Sequence, residues 1–293
     1  MARASHRTGG INLPSSVEDV IAWYERKTKS ILRKYGPGPQ IHFHTGLVEP
    51  DAVAAEDIEG LRLQLVESQE RLLVEAARFW EAEKHLRGVI LDVGCGLGGS
   101  SIFLAQKYGS HVHALTNVPG HIELIKDFVN KAGVADKITT ILGDSCAVPG
   151  NQVFDAVVAI ESSCYLDRDV WFKHLAQKVR SEGHVFIADC FAISEEIREP
   201  FDSYWLTRIG TLNEYEHAFQ AAGFNLEGLF DLTSRTARFW EFNILYSRRL
   251  LRDLKESEHE EERLLRSIKW QTQLLMSWRV GGIMCALLRL KHS

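Results

Sequence analysis

The feature that most restricts the fold of this chain is a regular alternation of short apolar segments and helical patterns between residues 89 and 190. Five apolar segments have the length of strands, and apolar residues recur at helical spacing in the stretches between them. The predicted strands cover residues 89–93, 111–116, 138–142, 153–160 and 184–190. This alternation is typical of a doubly wound, mostly parallel sheet with helices on both faces, so we predict an α/β fold.

The segments on either side of this core have a different character. Residues 16–34 form an amphipathic pattern that opens at Ser16 and ends before Gly36, and a second helical zone covers residues 52–85. Residues 1–15 are predicted to be loose. After residue 190 we predict helices rich in Trp and Arg, a long charged helix around residues 250–269, and two late strands at 226–231 and 283–290, with an antiparallel strand among them.

We therefore divide the chain into an N-terminal tail and helical cap (1–87), a core (88–193), and cap helices with the final strands of the same domain (194–293).

Composition excludes several classes of function. A chain of 293 residues with a net charge of -5 lacks the basic field that nucleic-acid binding requires. The longest apolar stretch, around residues 280–290, is too short to span a membrane, and residues 1–13 lack the apolar segment of a signal peptide. Five cysteines without short-spaced pairs argue against a disulfide framework and a structural zinc site. We predict a cytoplasmic location.

A glycine-rich turn, Asp92-Val93-Gly94-Cys95-Gly96-Leu97-Gly98, follows the first predicted strand. Such a turn lets the backbone approach a nucleotide-like ligand closely, although a plain tight turn or a dinucleotide loop also fits a run of glycines. The Gly-x-Gly-x-Gly spacing behind an acidic residue resembles the first motif of class I S-adenosylmethionine-dependent methyltransferases, which have a Rossmann-like core. The resemblance covers residues 86–190 and implies that S-adenosylmethionine binds at Asp92, Gly94, Gly96 and Gly98.

Two further segments extend the resemblance. Thr116 and Asn117 stand where most of the superfamily has an acidic residue that binds the ribose. The absence of an acid here resembles the branch that includes cyclopropane fatty acid and sterol methyltransferases, in which polar side chains contact the ribose. The resemblance therefore implies that Thr116 and Asn117 bind the cofactor. That branch usually has Ser and Gln at the positions of Val118 and His121. Asp144, followed by Ser145, stands where the family places an acid on the adenine amino group; alternatively, Asp144 caps a turn or a helix.

The segment Ile160-Glu161-Ser162-Ser163-Cys164-Tyr165 leaves the carboxyl end of the fourth predicted strand. It resembles segments of sterol and geranyl diphosphate C-methyltransferases, which methylate an alkene carbon. Because methylation of an alkene leaves a carbocation that must lose a proton, the resemblance implies that Glu161 is the catalytic base. The structural alternative is a strand-end Glu that caps the following helix.

Aromatic side chains suit such a reaction, because ring faces stabilise a carbocation. A segment from Tyr35 to Gly46 resembles the one that lies over cofactor and substrate in sterol methyltransferases, and its two histidines could point the same way. We therefore predict a substrate site formed by Tyr35, His42, Phe43, His44, Tyr165, Tyr204, Trp205 and Trp240. Alternatively, each aromatic residue could belong to the hydrophobic core, and the two histidines could lie in a surface loop or bind a metal.

Three functions remain open at this point. The first is C-methylation of an alkene in a prenyl diphosphate or terpenoid, the second O- or N-methylation of a small hydrophobic metabolite, and the third a binding module without activity. We predict no protein metal site, and Mg²⁺ only if the acceptor is a diphosphate. Arg33, Lys34, Arg168, Arg198 and Arg208 are the cations available for its phosphates. The N-terminal helix predicts a homo-oligomer.

Overall fold

The computed structural model describes residues 16–253 and 258–293. Within these residues the strands, numbered in chain order, form one seven-stranded sheet with the order β3-β2-β1-β4-β5-β7-β6. β1 to β5 pair in parallel, and β7 pairs antiparallel with both β5 and β6. This confirms the predicted fold class. The strands are β1 (Val89–Val93), β2 (His111–Thr116), β3 (Ile138–Leu142), β4 (Phe154–Ile160), β5 (Val179–Ala192), β6 (Phe224–Asp231) and β7 (Ile283–His292).

Ten α-helices surround this sheet in the described ranges. Ser16 begins the first by a capping box, in which its hydroxyl accepts from the N–H of Asp19 at 3.1 Å. The helices are α1 (Val17–Tyr35), α2 (Ile58–Phe79), α3 (Ala82–His85), α4 (Gly99–Tyr108), α5 (His121–Lys131), α6 (Arg168–Lys178), α7 (Arg198–Trp205), α8 (Leu212–Ala221), α9 (Thr233–Asp253) and α10 (Glu258–Arg279).

Three predicted elements differ from the structure. The predicted helical zone at 52–85 becomes helical only at Ile58 and is divided into α2 and α3, because Glu81 adopts a left-handed backbone (φ 52°) between them. The predicted strand at 184–190 is too short: β5 starts at Val179, which pairs with Phe154 of β4, and a register shift separates this pair from the next one, His184 with Ala156. The single charged helix at 250–269 is also wrong, as its described residues, 250–253 and 258–269, belong to the end of α9 and to the first half of α10. The predicted loose segment, 1–15, lies outside the described residues.

The sheet separates two apolar cores. Side chains alternate along β1, so that Ile90 belongs to one core and Leu91 to the other. The smaller core lies under α6 and α8 and includes Trp171 and Tyr215. The larger one joins α1, α2, α9 and α10 on the opposite face. In the part of the chain that is described, no helix has the length and hydropathy needed to cross a bilayer.

Candidate active site

A cleft of about 400 Å³, here called the glycine cleft, opens at the carboxyl ends of β1 and β2. It brings together every predicted cofactor residue except one: Asp92, Gly94, Gly96, Thr116, Asn117, Asp144 and Ser145. The exception is Gly98, which does not line the cleft. Its backbone is left-handed (φ 85°), and a Cβ there would lie 3.2 Å from the side chain of Ile125, so Gly98 shapes the entry into α4 instead.

Two glycines of the turn have different physical reasons to lack a side chain. At Gly94 a Cβ would come within 2.6 Å of the Cβ of Ser162, whose hydroxyl donates to the carbonyl of Val93 at 2.5 Å. Both backbones are left-handed (φ 70° at Gly94 and 56° at Gly96), but a Cβ at Gly96 would meet no atom within 4 Å. Gly94 therefore allows β4 to close on the turn, whereas Gly96 leaves open space at the wall of the cleft.

Asp92 anchors the helix that follows the turn. It is buried, and its Oδ2 accepts hydrogen bonds from the hydroxyls of Ser100 and Ser101, both at 2.6 Å. Burial raises the pKa of this carboxyl, and the two serine hydroxyls oppose that rise. Ser100 also lines the cleft, and our sequence analysis missed it, although a pair of serines in the first turn of α4 is a visible signal.

Polar atoms in the glycine cleft fit a polar ligand. Within the described residues, His42 Nδ1, His121 Nδ1 and Ser145 Oγ are buried without a hydrogen-bond partner, and all three residues line the cleft. Orphaned buried polar atoms are costly, so such a group points to a bound partner. Asp144 caps the turn after β3, as its Oδ1 accepts from the N–H of Cys146 at 2.7 Å. Asp144 can therefore cap this turn and line the glycine cleft at the same time.

A second cavity of about 130 Å³, here called the aromatic pocket, adjoins the glycine cleft. Trp205 lines the aromatic pocket, and the centroid of its ring lies 4.6 Å from that of Tyr204 and 5.8 Å from that of Trp240. All predicted substrate residues line this pocket except His42, which lines the glycine cleft instead. Sequence analysis missed Trp23 and Tyr24, which α1 contributes, although both lie in the amphipathic pattern of that helix.

Glu161 lies where the two cavities meet, since it lines both. It follows β4 with a left-handed backbone (φ 45°), a conformation that costs a residue other than glycine of order 1–3 kcal/mol. Its Oε1 accepts from the N–H of Thr45 at 2.8 Å, and burial raises the pKa of the carboxyl to about 7. The N-cap of the following helix, α6, is Asp167 and not Glu161, since Asp167 Oδ1 accepts from the N–H of Val170 at 3.2 Å. Strained and buried carboxyls of this kind cluster at functional sites.

His44 faces the same junction and also lines both cavities. Its Nδ1 lies 2.7 Å from the carbonyl oxygen of Thr45. A carbonyl only accepts, so Nδ1 carries the proton and the neutral ring presents an acceptor lone pair at Nε2. That Nε2 is buried without a partner among the described residues, and burial lowers the pKa of His44 to about 4. The His42 ring lies 5.2 Å away, so the two histidines do point in similar directions.

One group of potential metal ligands was missed because its members are far apart in sequence. The ligand atoms of Glu161, Cys190 and Cys285 all lie within 4.8 Å of one another. The two cysteines are cross-strand neighbours on β5 and β7. Thiols suit soft metal ions, whereas Mg²⁺ prefers oxygen ligands, so this group does not form a magnesium site.

Comparison with known proteins agrees with this arrangement. The family model described as "Methyltransferase domain" matches residues 90–183, the part of the chain that carries the glycine turn and β4. Residues 90–183 therefore match a methyltransferase domain, and the resemblance to class I, S-adenosylmethionine-dependent methyltransferases is confirmed. Its resemblance to the branch with geranyl diphosphate and sterol C-methyltransferases is likewise confirmed.

Relatives within this family act on different kinds of acceptor. The chain is 26% identical over 219 residues to tocopherol O-methyltransferase of Arabidopsis thaliana, covering 68% of this chain and 62% of the relative. It is also 26% identical over 218 residues to geranyl diphosphate 2-C-methyltransferase of Saccharopolyspora erythraea, covering 68% and 73%. The chain spans only 47% to 62% of the length of the first four curated relatives it matches.

A solved structure has the same fold. The geranyl diphosphate C-methyltransferase of Streptomyces coelicolor A3(2), in complex with Mg²⁺, geranyl diphosphate and S-adenosyl-L-homocysteine, matches with a TM-score of 0.77. The match covers 96% of this chain and all of that one, at 16% identity. At this identity, the likeness establishes the fold.

Proposed function

We propose that this methyltransferase adds a methyl group to an alkene carbon of a prenyl or terpenoid acceptor, and that Glu161 removes a proton from the resulting carbocation. The observation that carries the proposal is the position of the Glu161 carboxylate, half-buried between the glycine cleft and the aromatic pocket. Similarity to a geranyl diphosphate 2-C-methyltransferase over 68% of the chain supports it.

Residues of the glycine turn, with Thr116, Asn117 and Asp144, would hold S-adenosylmethionine in the cleft. When bound, the cofactor would supply a methyl group from its sulfonium to the alkene π electrons of the acceptor, with the electrons of the S–C bond left on sulfur and the acceptor left as a cation. Glu161 then accepts the proton from a neighbouring carbon, and the electrons of that C–H bond form an alkene again.

The aromatic pocket suits the cation in this scheme. Rings of Trp23, Phe43 and Trp240 surround Trp205 at centroid distances of 5.8 to 6.5 Å. Faces of such rings stabilise a cation by about 0.5 to 2 kcal/mol each, and an enclosed apolar wall keeps out the water that would quench it.

The decisive experiment is incubation with radiolabelled S-adenosylmethionine and a panel of prenyl diphosphates, terpenoids, phenols and amines, with products analysed by mass spectrometry. The proposal expects label on carbon of a prenyl or terpenoid acceptor. Exclusive labelling of oxygen or nitrogen in a phenol or an amine would contradict it.

His44 favours a second candidate function, O- or N-methylation of a small hydrophobic metabolite. Its acceptor nitrogen at the junction could take a proton from a hydroxyl or an amine, and tocopherol O-methyltransferase is among the relatives. The substitution His44→Phe separates the two functions. It keeps an aromatic ring, so it should leave alkene methylation within a few-fold, whereas heteroatom methylation should fall by about 10²-fold or more.

A further inference from the structure

The end of the aromatic pocket formed by α1, α9 and α10 is lined by basic side chains. Lys27, Arg33 and Lys34 come from α1, and Arg263 comes from α10. We call these four residues the basic end. Glu161 and Asp189, the acidic residues in the described lining of the pocket, belong to the β4 and β5 side. The pocket is therefore lined by basic side chains from α1 and α10 and by acidic side chains from the β4 and β5 side, and aromatic rings form further lining.

The carboxylate of Glu260 lies near the basic end and pairs with both arginines of that end, Arg33 and Arg263. Glu260 lies 3.6 Å from Arg33 and 2.7 Å from Arg263. In the described parts of the chain, neither Lys27 nor Lys34 forms an ion pair with a carboxylate. Lys34 instead donates to the amide oxygen of Asn243 and lies 4.6 Å from the ring centroid of Tyr246.

This environment disfavours the charge on both lysines. Burial, with repulsion from Arg263, lowers the pKa of Lys34 to about 7 and that of Lys27 to about 8. Four cations gathered in an apolar pocket around the single carboxylate of Glu260 still repel one another, and an anion between them would reduce the repulsion. The geometry and the charges thus fit an anionic ligand.

The lining does not fit a magnesium ion beside that anion. Proteins hold Mg²⁺ through one or two carboxylates together with the phosphates of a ligand. Asp189 already accepts from the Ser163 hydroxyl at 2.5 Å and from the Cys164 N–H at 3.0 Å, and Glu161 lies with the thiols of Cys190 and Cys285. The basic end itself contributes only cations.

We infer that Lys27, Lys34 and Arg263 bind the phosphate or diphosphate head of the acceptor by direct contact and without a divalent cation. The inference rests on the proposed function for the identity of the acceptor. It places the anionic head at the basic end, so that the prenyl chain extends along the aromatic rings towards Glu161.

The test uses inorganic pyrophosphate, which binds but cannot be methylated. Calorimetry on the full-length protein, saturated with S-adenosylhomocysteine and treated with EDTA, should show binding that excess Mg²⁺ does not tighten. Lys34→Met keeps the length of the side chain and removes its charge, so the affinity should fall by about 10- to 100-fold. Lys34→Arg should retain most of it. Lys29→Met is the matched control, because Lys29 is an exposed residue of the same helix, and it should bind like the wild type.

Binding that requires Mg²⁺, or equal binding by Lys34→Met and Lys29→Met, would overturn the inference. An unchanged affinity for S-adenosylhomocysteine shows that each variant is folded. The two proposals fail separately. If the protein binds pyrophosphate but methylates only phenols or amines, alkene methylation is contradicted and anion binding at the basic end is supported. If it methylates neutral terpenoids but does not bind pyrophosphate, alkene methylation is supported and anion binding at the basic end is contradicted.

Discussion

Glu161 joins three observations at one residue: a left-handed backbone, burial, and a hydrogen bond from the Thr45 N–H. We predict that Glu161→Gln, which keeps the shape and removes the basicity, lowers single-turnover methyl transfer by about 10²- to 10⁴-fold. Affinity for S-adenosylmethionine should barely change. Thermal melting distinguishes this result from a purely structural role, which would yield a less stable protein with normal turnover per folded molecule.

The same carboxyl predicts a pH dependence. Burial raises its pKa from the usual value of a Glu to about 7, and a base acts only when it is deprotonated. The rate constant kcat/KM should therefore fall as the pH drops through about 7, since this constant reports the pKa of the free enzyme. A flat profile between pH 6 and 8 would argue against Glu161 as the base.

Gly96 tests the glycine cleft. Gly96→Asp places a charged side chain in the open space at the wall of the cleft, so we predict that calorimetry detects little or no binding of S-adenosylmethionine. Gly133→Asp is the matched control, because Gly133 is also left-handed (φ 70°), a Cβ there would meet no atom within 4 Å, and the residue does not line the cleft. Equal affinities for the two variants would refute the assignment of the turn.

At the scale of elements, α1 closes both cavities. The Tyr24 and Tyr165 hydroxyls lie 3.0 Å apart, and the Thr28 hydroxyl lies 3.0 Å from His121 Nε2. Because the Tyr165 hydroxyl can donate to the carbonyl of Trp205, at 3.3 Å, it can accept from Tyr24. These contacts connect α1 with residues that line the glycine cleft and the aromatic pocket.

We predict that Tyr24→Phe loosens this helix, since it removes a hydrogen bond worth about 0.5–1.5 kcal/mol while keeping the ring. Hydrogen exchange of α1 amides should become faster and the KM for the acceptor should rise, with kcat less affected. Tyr108→Phe, in α4 and away from both cavities, should change neither. Unchanged exchange in Tyr24→Phe would show that the contact does not hold α1.

Elements of the parallel core were predicted closely from sequence, and the bounds of β1, β2 and β3 agree to the residue. Their signal is local, because each strand is an apolar run between turn residues. β5 was predicted too short, since its first residue, Val179, pairs with Phe154 across a register shift, and no local pattern in the sequence indicates this pairing. The division of α9 from α10 was missed for a similar reason, because charged residues there continue a helical pattern.

At the scale of the whole molecule, local motifs identified most of the glycine cleft but only part of the aromatic pocket. Residues such as Asp92 and Gly96 follow strands directly, and their place at the sheet edge follows from the strand count. The basic end and the Cys190–Cys285 neighbours depend instead on contacts between distant segments. Lys34 was named as a cation for phosphate, yet its proximity to Arg263 has no signature in the sequence.

The predicted homo-oligomer stays a prediction at this scale. α1 packs over the cavities of its own chain, so its removal should affect activity directly as well as any assembly. We expect light scattering to give a mass above that of one chain, and removal of residues 1–34 to lower both the mass and the turnover. A full-length monomer, or a truncated monomer with full activity, would refute this expectation.

The aromatic pocket joins parts of the chain that are made at very different times. Lys34 contacts Asn243 across 209 positions, and Arg33 pairs with Glu260 in the last helix. Contacts of such long range form late, because the closure of a long loop must precede them. We expect the parallel strands β1 to β5 and the glycine cleft to form first during refolding, and the ability to bind an acceptor to return as the last kinetic phase. A nascent chain that ends before α10 also lacks β7, yet it would already possess the five parallel strands that carry the glycine turn, but no place for the molecule to be modified.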